Sequence, residues 1–160
     1  MSERIKIAIQ KSGRLTEHST TLLQKCGLII SHTKDQLIGY GENMPFDIMF
    51  VRDDDIPGLI QENLCEIGIV GANVAIEKQL SYESSQLPSQ FVLESSLDFG
   101  HCKLSFAYPE TSSIRSVNDL EGKTIATSYP FTVKNYFADN QINAKVTEFS
   151  GAVELAPSLG

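Results

Sequence analysis

No stretch of the 160-residue sequence approaches the roughly 18 to 20 uncharged apolar residues that cross a bilayer. Its first residues, MSERIKIAIQ, carry charges where a secretory leader needs an apolar core, so neither a membrane-spanning nor an exported protein is expected. Cysteine is scarce: Cys26, Cys65 and Cys102 are odd in number and too widely spaced for a CxxC pair, which excludes a disulfide framework and points to a reducing, cytoplasmic setting. Each lies at the edge of an apolar segment and is expected to pack as a small hydrophobe. The three histidines, His18, His32 and His101, are scattered, so no metal site of the zinc type is expected. Lys and Arg number 13 against 20 Asp and Glu, a net charge of −7 with no basic cluster, which excludes a nucleic-acid binder that works by neutralising many phosphates. A small anionic ligand, held by a few local donors, stays open. Neither GxxxxGK[ST] nor GxGxxG is present, so the common nucleotide fingerprints are absent as well.

What is present is a hydrophobic content of 41%, enough for one large or two small domains. RIKIAI at 4–9 alternates as a strand does, and QKSGRL makes a turn. Leu15, Leu22, Leu23 and Cys26 then fall on one helical face that Gly27 ends. Short strands are expected at 28–31 and 36–40, and DIMFV at 47–51 reads as a strand covered on both faces. Asp53, Asp54 and Asp55 with Pro57 suit a helix first turn, and Ile56, Leu59, Ile60 and Leu64 continue at helical spacing. EIGIV at 66–70 predicts a buried strand, 74–80 a short helix, and 81–90 a surface loop. A strand is expected over 102–108, a short helix capped by Ser116 with Asp119 in capping-box position, and strands over 123–127 and 144–149 around a helix starting near Pro130. Strands alternating with helices imply an α/β fold with mainly parallel sheets, repeated on each side of a junction, as residues 1–97 and 98–160.

Ligands of such sheets bind beyond the carboxyl ends of strands. Lys11, Ser12, Gly13 and Arg14 directly follow the first strand and open a helix, a turn suited either to phosphate or simply to solvent. Arg52 ends a buried strand, where it forks onto a phosphate or pairs with the aspartates that follow. Those aspartates in turn either hold Mg2+ through waters or stabilise the helix start. Thr127, Ser128 and Tyr129 form a strand-end turn, which serves as a helix cap or as a nucleotide contact with Tyr129 stacking on a base. Glu154, after Gly151, is placed to accept from sugar hydroxyls or to sit in a helix first turn.

The order and spacing of QKSGRL at 10–15, ENMPFDIMFVRDDDIPGL at 42–59, GIVGANV at 68–74, LDFGHCKLSFA at 97–107, KTIATSYP at 123–130 and SGAVELAP at 150–157 resemble the ATP phosphoribosyltransferase family over nearly the whole chain. The resemblance implies two lobes like those of periplasmic binding proteins facing a cleft, and a glycosyltransferase reaction. In that reaction ATP N1 is joined to the anomeric carbon of phosphoribosyl pyrophosphate (PRPP), with Mg2+ present, at the start of histidine biosynthesis in the cytoplasm. It implies that Lys11, Gly13 and Arg14 line the nucleotide side, that Arg52 faces the pyrophosphate, that Tyr129 helps hold the purine nucleotide with Thr127 and Ser128 forming the adjoining turn of the substrate site, and that Glu154 lies near the ribose. Lys11 and Arg52 are the expected catalytic residues; Asp98 and Gly100 are expected in the crossing between lobes. ENMP and VRDDDIP match the long, hexameric form, which is homo-oligomeric as a hexamer or dimer and carries a regulatory domain not found in these 160 residues. The family also continues, past the last residue here, into a loop that grips the PRPP 5′-phosphate. The expectation is therefore an N-terminal portion, inactive alone and able to self-associate. The competing reading is a non-catalytic small-anion binding module; ATP and AMP binding, without binding of simple oxyanions, separates the two.

Overall fold

The computed structural model describes residues 4–33 and 35–158, which divide into two compact units, Met1–Cys102 and Lys103–Gly160. The first unit opens with strand β1 (Ile5–Gln10), helix α1 (Arg14–Lys25), β2 (Ile30–Ser31), β3 (Ile38–Gly41) and β4 (Phe46–Val51). A single 3-10 turn (Asp53–Asp55), α2 (Ile56–Gln61), β5 (Ile67–Ile69) and α3 (Ala72–Ser84) follow. Its five strands lie in the order β2-β3-β4-β1-β5. β4 and β5 flank β1 in parallel, whereas β2 and β3 join antiparallel at one side. The sheet is thus mixed with a parallel centre, because the polar turns after β2 and β3 are short enough only for hairpin-like returns.

β1 separates two hydrophobic layers by simple alternation. Ile7 and Ile9 face a cluster with Leu28, Ile48, Phe50 and Ile69, covered by Leu22 and Leu23 of α1. Ala8, fully buried, faces the other side with Ile56 and Cys65, under Leu59 and Ile60 of α2. Only Gly68 permits that second layer to close, since a Cβ there would lie 2.5 Å from Ile56 Cγ2. α1 ends as expected: Gly27 takes φ 88° and the Leu28 N–H donates to the Leu23 carbonyl at 3.1 Å.

Four expectations are corrected. Helix α3 runs through Ser84 instead of stopping at Leu80, because nothing in 81–84 breaks it until Gln86 adopts φ 57°. Cys26 and Cys102 are exposed, and only Cys65 is buried: the periodicity that placed Cys26 on the apolar face reaches the open last turn of α1. Residues 102–108 form no strand, since alternation without a neighbouring ladder leaves the backbone unpaired; Phe106 instead stacks on Phe137 with centroids 5.5 Å apart. The segment after Ser116 is a 3-10 turn, Val117–Leu120, though its cap is as expected: Asp119 accepts the backbone N–H groups of Ser116 (2.8 Å) and Arg115 (2.9 Å).

In the second unit, β6 (Thr124–Thr127) and β7 (Lys145–Glu148) pair in parallel around α4 (Pro130–Asp139), with a short helical segment at Val153–Ser158. Leu120, Val133, Phe137 and Ile142 form its core. No helix among the described residues is long and apolar enough to cross a membrane.

Candidate functional site

Parallel pairing sets the carboxyl ends of three strands side by side. Gln10 of β1 is in register with Val51 of β4, and Ile9 with Ile69 of β5. The ladder runs one residue further, because the Lys11 N–H donates to the Val51 carbonyl at 2.7 Å. The Lys11–Arg14 turn, the Arg52–Asp55 turn and the start of α3 at Gly71 therefore share one edge, the edge where α/β sheets take ligands.

Gly13 is the residue before α1 and adopts φ 118°, a left-handed backbone that other residues rarely take. Having no side chain, it cannot cap the helix. Gln10 does so instead, its Oε1 accepting the Leu15 N–H at 3.2 Å. Sequence reading missed this role, as a glutamine closing a strand carries no capping signal. Lys11 and Arg14 are exposed beside it.

Arg52 follows β4 and is largely exposed. Its Nε and Nη2 fork onto Asp55 at 2.9 and 3.0 Å, which raises the guanidinium pKa and holds the Asp55 carboxyl below its usual value. The pairing reading of this segment is therefore realised in the structure. Asp53 behaves oppositely. Partial burial pushes its carboxyl up, the Gly71 backbone N–H opposes that, and the Asp54 charge adds to it. Its Oδ1 is enclosed and has no hydrogen-bond partner among the described residues. Asp53 was read only as one of a charged triplet; its distinctness comes from the approach of Gly71, eighteen residues away along the chain and invisible in local spacing.

Residues 97–102 close over the same unit. Leu97 and Phe99 pack on the first core, Phe99 stacks on His18 at 5.3 Å, and a Cβ on Gly100 would collide with Leu15 Cδ2. Cys102 Sγ approaches Asn73 Oδ1 of α3 at 3.8 Å. Asp98 and Gly100, expected in a crossing, lie within this strap.

The remaining expected residues belong to the second unit. Thr127, 7% exposed, ends β6, and its Oγ1 accepts the Tyr129 N–H at 3.0 Å, while Ser128 is exposed and Tyr129 half-buried just before α4. Thr127 thus orders the turn and does not face solvent. The Phe149 N–H donates to the Thr127 carbonyl at 2.9 Å, so the segment after β7 leaves from the same strand end. Glu154 is exposed in the Val153–Ser158 segment, which lies against β6. Each unit thereby gathers its own candidates: Lys11, Gly13, Arg14 and Arg52 in one, Thr127, Ser128, Tyr129 and Glu154 in the other.

An α/β unit with cations at the carboxyl edge of its parallel strands has the arrangement that suits anionic small molecules. The family profile described as HisG, ATP phosphoribosyltransferase, matches residues 52–160. Two proteins of Xylella fastidiosa strains named ATP phosphoribosyltransferase are 46% identical over 158 residues, which is 99% of this chain and 52% of theirs. One of Stenotrophomonas maltophilia is 45% identical with the same coverage. Among solved structures, the ATP phosphoribosyl transferase (HisG:HisZ) complex from Thermotoga maritima matches with TM-score 0.63 and 27% identity, over 98% of this chain and 69% of that one. The chain belongs to the ATP phosphoribosyltransferase family, and it spans about half the length of the curated relatives it matches.

Proposed function

We propose that this chain binds the nucleotide and the pyrophosphate end of PRPP in a glycosyltransferase reaction that forms phosphoribosyl-ATP. The reading rests above all on the three adjoining strand ends that bring Lys11, Gly13 and Arg14 together with Arg52. In that reaction the bond between the anomeric carbon and the pyrophosphate oxygen breaks, with its electron pair leaving on pyrophosphate. ATP N1 supplies the pair for the new carbon–nitrogen bond. The electrostatic demand is on the leaving group, so Lys11 and Arg52 act there, and neutral adenine needs no general base to make N1 nucleophilic. Mg2+ bound to the substrate polyphosphate would offset part of its charge. Thr127, Ser128, Tyr129 and Glu154 serve the purine nucleotide and its ribose. Histidine biosynthesis, a cytoplasmic setting and a homo-oligomer are the context that family membership supports for this reading.

The test is mass-spectrometric detection of phosphoribosyl-ATP after incubation with ATP, PRPP and Mg2+, with ATP and AMP binding followed in parallel. Nucleotide binding is the expected result. Binding without product locates the remaining chemistry in the length of the relatives that this chain does not span. Binding of sulfate and phosphate but not of nucleotides would replace the proposal with a simple anion-binding module.

A further inference from the structure

Two of the amides that open α1 are already engaged. The Leu15 N–H donates to Gln10 Oε1, and the Thr16 N–H turns back to the Gly13 carbonyl at 3.3 Å. An anion at this turn therefore finds fewer backbone donors than a free helix start offers. Side chains make up the difference. Lys11 and Arg14 supply charge, and a third group belongs to the same turn.

That group is the Gln10 carboxamide. Because a backbone N–H is donated to it, the atom facing Leu15 must be the oxygen, which settles the orientation of the amide. Nε2 is left with two hydrogens and no hydrogen-bond partner among the described residues. The amide lies flat over Gly13, with Nε2 and Oε1 each 3.0 Å from where a Cβ on that glycine would stand. Glycine at 13 is thus required twice, for its φ of 118° and for the space the amide occupies. The amide is held in place by the helix cap while its donor edge stays free.

We infer that Gln10 is an anion-contacting residue of the Lys11–Arg14 turn, capping α1 through Oε1 and donating through Nε2 to a pyrophosphate oxygen. This deepens the function proposed above and rests on pyrophosphate binding at this turn. A neutral donor suits the position, since it adds a hydrogen bond whose direction the cap has fixed in advance.

Two substitutions separate the roles. Gln10→Glu keeps an oxygen for the Leu15 N–H but loses the donor; Gln10→Ala loses both without adding charge. Inorganic pyrophosphate binding is measured by calorimetry on the full chain, and thermal stability on the same samples, with Lys11→Ala as a reference. The expected result is roughly five- to tenfold weaker binding for Gln10→Ala and at least about tenfold for Gln10→Glu, from the lost hydrogen bond and the added repulsion. The melting temperature falls for Gln10→Ala only. The shared defect of a capped, charged variant and an uncapped, neutral one is then the missing donor. If Lys11→Ala weakens pyrophosphate binding and Gln10→Ala stays within about twofold of the parent, the role of Gln10 is overturned and the turn remains the site. If the unaltered chain does not bind pyrophosphate, or Lys11→Ala leaves binding intact, the site and the role of Gln10 fall together.

Discussion

Arg52 presents to Asp55 the same two-pronged geometry that it would present to a phosphate. A pyrophosphate recruiting Arg52 has to displace that carboxylate, and the pair is exposed, so displacement costs little. Arg52→Ala is therefore expected to weaken pyrophosphate binding by about tenfold, whereas Asp55→Asn, which loosens the fork, strengthens it by about two- to fivefold. Calorimetry on the two variants checks both, and equal affinities in both would remove Arg52 from the site. Asp53 gives a different test. Its folded-state pKa lies above the ordinary carboxylate value, so the folded chain holds that proton more tightly than the unfolded one. Its contribution accordingly favours folding below the ordinary value and is lost as pH rises through the raised one. Asp53→Asn, which cannot ionise, should gain on the parent in urea midpoint as pH climbs through that interval, and a constant difference across pH would show that burial does not govern Asp53. For Asp55 the sign reverses: its pKa is lowered, so its pairing stabilises above the ordinary value and is lost as pH falls through the depressed one.

Elements owe their positions to a few close contacts that local sequence describes only in part. The strand at β1 was legible because isoleucines alternate at 5, 7 and 9, although burial also takes in Ala8 and leaves Ile5 exposed, and α1 because Gly27 supplies the stop it needs. Gly68 was legible only as a glycine in a strand. Its purpose lies in α2, which approaches until Ile56 and Ile60 occupy the space of the absent side chain. Gly68→Ala is expected to destabilise the chain by about 1–3 kcal/mol through overpacking, measured by urea unfolding. An unchanged midpoint would mean that α2 moves away freely. Residues 102–108 show the converse: their alternation is strand-like, but a strand is a property of two segments, and Phe106 finds its neighbours in α4.

At the scale of the molecule, a net charge of −7 opposes anion binding, so affinity for a polyphosphate depends on the cations placed at the strand ends. The two units have separate cores, one of them in two layers about β1. Thiol labelling reads the packing of the first: Cys26 and Cys102 should react in the native chain, and Cys65, buried with its thiol pKa raised by desolvation, only on unfolding. Native labelling of Cys65 would contradict the layer beneath α2.

The sequence by itself determined the α/β class, the alternation of elements, the strand-end turns at Lys11, Arg52 and Thr127, and the family. These depend on local periodicity, on glycine and proline positions and on ordered motifs, all of which are properties of neighbours along the chain. Tertiary structure alone decided that Gln10 caps α1, that Arg52 is held by Asp55, that Gly71 approaches Asp53 and that Cys26 faces solvent. Spacing left the Arg52 pairing open, and the others depend on which strand ends and helix faces come to lie together. For Asp53 and Gly71 that is set by the parallel register of β1, β4 and β5, because a buried carboxylate is decided by distance in space and not by separation in sequence.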